Sequence, residues 1–149
     1  VQEEVGARGA GTAAELARPD IAIVLECTPA DDLPGRVERQ GILGSGPQIR
    51  YFDPTAISNR RLVRLVEDLA GRLEIPVQMA VRRTGGTDAG RIHVHGAGVP
   101  TVVVGVPARS IHSHVALLQM ADYHAALTLL VELVTRLDAD TVAGLVRFD

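Results

Sequence analysis

Hydrophobic positions along this chain fall into two kinds of run, and the two kinds alternate. Ile21-Ala22-Ile23-Val24-Leu25 is continuous and rich in β-branched residues, the pattern of a strand buried on both faces, and it ends in Glu26-Cys27-Thr28. From Asn59 to Leu73 the apolar residues Leu62, Val63, Leu65, Val66, Leu69 and Leu73 recur at helical spacing, with Ser58 as the N-cap. Val77 to Val81 reads as a short strand, and Thr101 to Val106 as an apolar strand bounded by Pro100 and Pro107. Ala121 to Leu137 carries the strongest amphipathic signal, with Asp122 or a neighbour starting the helix, and a shorter helix spans Thr12 to Ala17 after a small-residue turn. Strands alternating with helices predict an α/β fold, helical layers around a largely parallel sheet. No repeat, low-complexity tract or linker divides residues 1–149, so one domain is expected.

Composition narrows the function classes. At 149 residues and 46% hydrophobic, the chain can bury a substantial core. No apolar run approaches the roughly 18 residues of a membrane helix, and no basic segment precedes an apolar one as in a signal peptide, so neither membrane nor secretion is expected. A net charge of −3 and only two Tyr, two Phe and no Trp speak against a nucleic-acid partner. The single cysteine, Cys27, excludes an intrachain disulfide and a Cys-based zinc site and fits a reducing, cytoplasmic compartment. All 15 basic residues are Arg, a bias without mechanistic content.

Candidate chemistry gathers at the ends of these elements. Glu3-Glu4 lies at the edge of an apolar stretch, just before the small-residue turn Val5 to Gly11; if the pair ends a strand, its carboxylates can splay around one site. The plain alternative is a solvated pair on a loop. Glu26 closes the first buried strand, where a charge is costly unless paired, hydrogen-bonded or bound to a cation. The segment Thr84-Gly85-Gly86-Thr87-Asp88-Ala89 is a glycine turn with Thr87 or Asp88 as cap of a following helix. Pro107 to His114 places His112 and His114 just after the last strand. Carboxylates plus imidazole at strand ends form a donor set suited to zinc, cobalt or manganese.

The ordered segments QEEVGARGA, PDIAIVLECTPADDLPG, GSGPQI, TGGTDAGRIHVHGAGVPT and VPARSIHS resemble the C-terminal half of the catalytic domain of the M42 aminopeptidases, over nearly the whole chain. The resemblance implies a three-layer αβα, zinc-peptidase-like domain, incomplete at its N-terminus and lacking the family's dimerisation domain. It implies hydrolysis of N-terminal residues from peptides with two divalent ions, zinc or cobalt. By position, Glu3 would be the general base, Glu4 and His112 would ligate one ion, and Glu26, where many members have Asp, would ligate the other. Asp88 matches a family motif without an assigned role, and His93, His95 and His114 match no ligand position. Ser110 departs from the family's Tyr. The family's remaining donors, a His in an HxD-type motif and a bridging Asp, lie upstream of the QEE segment. The isolated chain is therefore expected to be inactive or nearly so. A homo-oligomer is expected, dodecameric in the parent enzyme, and an open sheet edge would favour self-association.

Two rival readings belong to other classes. A non-catalytic assembly or binding domain would keep the fold and bring Glu3, Glu4, Glu26 and His112 together without metal. A glycoside hydrolase of the cellulase M type would need two carboxyls roughly 5 to 9 Å apart flanking a sugar cleft with aromatic platforms.

Overall fold

The computed structural model describes residues 1–35 and 37–147. A 3-10 turn at Glu3–Val5 leads into α1 (Arg8–Ala17), followed by β1 (Ala22–Pro29), β2 (Gln48–Asp53), β3 (Ala56–Ile57), α2 (Arg60–Arg72), β4 (Gln78–Val81), α3 (Ala89–Ile92), β5 (Thr101–Arg109), β6 (Leu117–Leu118), α4 (Met120–Val134) and α5 (Ala139–Gly144). The spine of the sheet is β1-β5-β2-β4, with β3 hairpinned onto β2 and β6 onto β5. Its longest ladder is parallel, from Ala22↔Thr101 to Pro29↔Ala108, and β2 and β4 are also parallel. Within this spine β2 runs against β5, at Gln48↔Gly105 to Arg50↔Val103, and the β3 and β6 hairpins are also antiparallel, so the sheet is mixed within the expected α/β layering.

Alternation along the strands divides the interior into two layers. Val102 and Val104 of β5 join Ile49 of β2 in packing against Leu62, Val66 and Leu69 of α2 and Leu129 and Leu133 of α4. Val103 turns to the other face with Val24, Ala56 and Ala89, where α3 and the small-residue helix α1 form the third layer. On that second face the strands also carry Glu26, Thr28, Gln48 and Arg50, so a polar row crosses the sheet. Gly105 stands in register with both Glu26 and Gln48. A Cβ on Gly105 would lie 2.8 Å from Thr28 Cβ, so the missing side chain is what lets the strands carry this row at close range.

Several elements depart from the sequence pattern. β2 was hidden because Gln48, Arg50 and Asp53 are buried polar residues rather than an apolar run. β1 continues past Glu26 to Pro29, and Leu25 is 63% exposed, because among the described residues β1 has a partner, β5, on one edge only. β5 runs through Pro107 to Arg109. α1 starts at Arg8, so the expected turn of small residues is confined to Gly6 and Ala7, and Gly9 to Gly11 are already helical. The cap of α2 is Asn59, whose side chain accepts from Leu62 N–H at 2.9 Å, while Ser58 Oγ donates to the Arg50 carbonyl. α4 ends at Val134, and its outer face is also apolar: Met120, Tyr123, Leu127, Val131 and Val134 are all exposed. Among the described residues, no helix is long and apolar enough to cross a membrane.

Candidate active site

A cavity of about 1140 Å³ opens over the α1 and α3 face of the sheet, and Glu3, Glu4, Glu26 and His112 all line it. Each arrives by a different route. Glu3 and Glu4 sit on the 3-10 turn before α1, not at a strand end as expected. That turn is reversed by Gly6, whose φ of 104° is open to glycine and strained for other residues. The Gly6 carbonyl accepts from Arg91 Nε at 3.1 Å, which ties the turn to α3. Glu26 projects from within β1, and His112 stands three residues beyond β5.

His112 Nδ1 lies 3.2 Å from Glu4 Oε1, with both side chains largely exposed. The structure thus joins two residues from distant parts of the chain at the mouth of the cavity. Glu26 is half-buried, and burial, reinforced by the Glu3 carboxylate and opposed by the Arg50 guanidinium, pushes its carboxyl up to about 7. The Asp88 and Asp53 carboxylates add smaller effects in the same direction. A carboxyl so placed gains by acquiring a cation or a proton.

An imidazole nitrogen beside a carboxylate oxygen is a donor pair that fits a borderline divalent ion, and Glu26 adds a carboxylate with the electrostatic need for one. Among the described residues, however, no three His, Cys, Asp or Glu side chains converge closely enough to hold a metal. Glu4 and His112 are the contacting pair, and Glu26 feels Glu3 more strongly than any other charge.

The remaining candidates fall elsewhere. His93 Nδ1 lies 2.8 Å from the Ala89 carbonyl, His95 approaches Glu15 at 3.8 Å, and His114 is exposed. In the glycine turn, Thr87 Oγ1 accepts from Ala89 N–H at 3.3 Å, while Asp88 makes no capping hydrogen bond. Ser110, where the resembled family has Tyr, is exposed and has φ 59°.

Two groups of residues escaped the sequence reading. The first lies in the polar row: Arg50 pairs with Asp53 at 3.1 Å and donates to Thr28 Oγ1 at 3.1 Å, and the Thr28 hydroxyl donates to Gln48 Oε1 at 2.7 Å. The second is the Asp31-Asp32 doublet after β1. Asp31 accepts from Gln40 and Gly41 N–H and pairs with Arg82 at 2.7 Å, and Asp32 holds Arg109 through two hydrogen bonds of 2.9 Å. Adjacent acids in a loop were the visible signal; their Arg partners come from just after β4 and from the end of β5 and could not be paired with them from the sequence.

The fold recurs in known proteins. A crystal structure of a TET aminopeptidase from a marine sediment archaeon of the Thaumarchaeota superposes with a TM-score of 0.94 at 46% identity, covering 97% of this chain and 41% of that one. The Pyrococcus horikoshii TET1 peptidase, described as assembling into a tetrahedron or a large octahedral shell, matches with a TM-score of 0.69 at 33% identity, over 90% of this chain and 38% of that one. The glutamyl aminopeptidase of Lactococcus lactis subsp. cremoris is 36% identical over 148 residues, which is 99% of this chain and 41% of that protein. The chain thus spans about two fifths of the length of these relatives. Residues 1–129, which include Glu3, Glu4, Glu26 and His112, match the M42 glutamyl aminopeptidase family from end to end of the cavity-lining segments, and the chain belongs to that family.

Proposed function

We propose that this chain is the C-terminal part of the catalytic domain of a metal-dependent aminopeptidase, which removes N-terminal residues from peptides. The observation that carries the reading is that Glu3, Glu4, Glu26 and His112 all line one cavity, with Glu4 and His112 in contact at 3.2 Å. Glu4 and His112 would hold one divalent ion, zinc or cobalt, and Glu26 a second. Such ions, when bound, supply Lewis acidity toward the scissile carbonyl and an attacking water. Glu3 would take the proton from the attacking water and pass it to the departing amine, as a general base and then a general acid. Arg50 faces Glu26 and moderates the accumulation of negative charge.

The shortfall of metal donors among the described residues and the two-fifths span of the relatives both support a site shared with further polypeptide. The resemblance puts the missing donors, a His and a bridging Asp, N-terminal to the Glu3 segment. Homo-oligomeric assembly and a cytoplasmic location belong to the same reading. The apolar outer face of α4 and the shell-forming relative support the first, and the unpaired Cys27 supports the second. Sugar cleavage is disfavoured, because no Tyr or Phe lines the cavity among the described residues.

The test is metal content by elemental analysis, with hydrolysis of a panel of aminoacyl-anilides before and after adding zinc or cobalt. The 149-residue chain alone is expected to show no turnover above a metal-free control. The same panel is expected to be hydrolysed when the chain is joined to the rest of an M42 catalytic domain, with turnover lost on Glu3→Gln. Turnover by the chain alone would overturn the shared-site reading; a joined enzyme indifferent to Glu3→Gln would overturn the assignment of the base.

A further inference from the structure

His112 is 68% exposed at its side chain, so packing does not hold it; its place depends on the backbone that carries it. That backbone is unusual. Ser110 and His112 have φ values of 59° and 62°, two left-handed residues without glycine in three positions. Such a segment persists only where its surroundings determine it. On the far side, Ser113 Oγ donates within the loop, 2.7 Å from the Ser110 carbonyl and 2.8 Å from that of Val115. On the near side, immediately before Ser110, the Arg109 guanidinium is gripped by Asp32 through Nε and Nη2, both at 2.9 Å.

Asp32 is itself anchored. Its Oδ2 accepts from Leu43 N–H at 3.2 Å, and the preceding Asp31 is fastened to Gln40, Gly41 and Arg82. The Ala30 N–H also donates to the Ala108 carbonyl, so the chain leaving β1 is laid along the end of β5. The strand that carries Glu26 and the strand that leads to His112 are therefore locked together after the first residue and before the second. A bidentate charge-assisted pair fixes orientation as well as distance, which a single hydrogen bond does not.

We infer that Asp32 is a positioning residue for His112: by clamping Arg109 it sets the left-handed Ser110 to His112 segment and so the approach of the imidazole to Glu4. The inference rests on the aminopeptidase reading only for what His112 does there; the clamp itself is tested without metal or turnover. Backbone ¹⁵N order parameters of the labelled 149-residue chain separate the possibilities. Asp32→Asn should lower them at Ser110 to Ser113 from about 0.85 to below about 0.6 while those of Val102, Val104 and Leu129 stay rigid. Arg109→Lys, which keeps the charge and loses the fork, should do the same to a smaller degree and serves if Asp32→Asn does not fold. Asp32→Glu should restore part of the order. Unchanged order parameters in the loop, or a parallel fall in the core, would overturn the inference. Loss of loop order with no turnover in any form of the protein would leave the clamp standing and count against the aminopeptidase reading alone.

Discussion

Arg50 and Asp53 meet at 3.1 Å inside the protein, on the sheet face that also carries Glu26, with side chains 7% and 0% exposed. Asp53 has further donors in Thr55 N–H, Thr55 Oγ1 and Ala56 N–H, but Arg50 is its cation. Replacing Arg50 by Met would strand a buried carboxylate, and breaking such a pair costs about 3–5 kcal/mol. Arg50→Met is expected to lower the urea midpoint with little change in slope, and Arg50→Met with Asp53→Asn to recover part of the loss.

Glu26 makes the metal-free protein less stable as pH rises. Its folded-state carboxyl titrates near 7, above the ordinary 4.5, so the folded state binds more protons than the unfolded state between those values. Stability from this group is complete below the unfolded value and is lost as pH rises through the folded one. Such a shift corresponds to about 3 kcal/mol, and solvent contact reduces the expected effect to about 1–2 kcal/mol. With a chelator present, Glu26→Gln should be more stable than the parent at pH 8 by that amount and indistinguishable from it at pH 4. A constant difference across the range would contradict the assignment.

Asp32 should act at the opposite end of the scale. The Arg109 guanidinium holds its carboxyl below the usual range, aided by the Leu43 N–H. Its contribution is present above the unfolded value of about 3.9 and disappears as pH falls through the depressed folded value. Acid titration followed by circular dichroism should show a gentler loss of stability below about pH 4 in Asp32→Asn than in the parent.

The buried Asp122 carboxylate in the first turn of α4 receives the amide hydrogens of Gly44 and Gly46 at 2.7 and 2.8 Å, closing the loop that enters β2. Asp122→Ala leaves both donors unpaired and should destabilise by about 2–4 kcal/mol; Asp122→Asn, which keeps one carbonyl acceptor, should lose less. Thermal melts of both variants decide the order, and equal losses would show that a single neutral acceptor contributes nothing and that the carboxylate is required.

Gly105 tests the polar row directly. An added methyl would stand 2.8 and 2.9 Å from Thr28 Cβ and Cγ2, inside a sheet that cannot yield easily. Gly105→Ala should cost about 1–3 kcal/mol, and Thr28→Ser, which removes Cγ2 but keeps the hydroxyl bridging Gln48 and Arg50, should relieve part of it. Strict additivity of the two changes would mean that they do not meet.

Local information in the sequence determined the elements whose side chains repeat with one period and one polarity: the apolar centres of β1 and β5, the length of α2, the α/β alternation. It also singled out Glu3, Glu4, Glu26 and His112, which stand in ordered motifs and which the fold brings to the lining of one cavity. What it could not determine depends on partners far along the chain. β2 is unreadable alone because Gln48, Arg50 and Asp53 are polar and buried, made tolerable by Thr28, Thr55 and each other. The Asp31-Asp32 doublet looks like a solvated loop until Arg82, just past β4, and Arg109, at the end of β5, arrive from elsewhere in the chain. The contact between Glu4 and His112 exists because a 3-10 turn and a left-handed loop are brought to one cavity by α3 and β5. Periodicity reports which face of an element is buried; only the assembled fold decides which charges that burial places side by side.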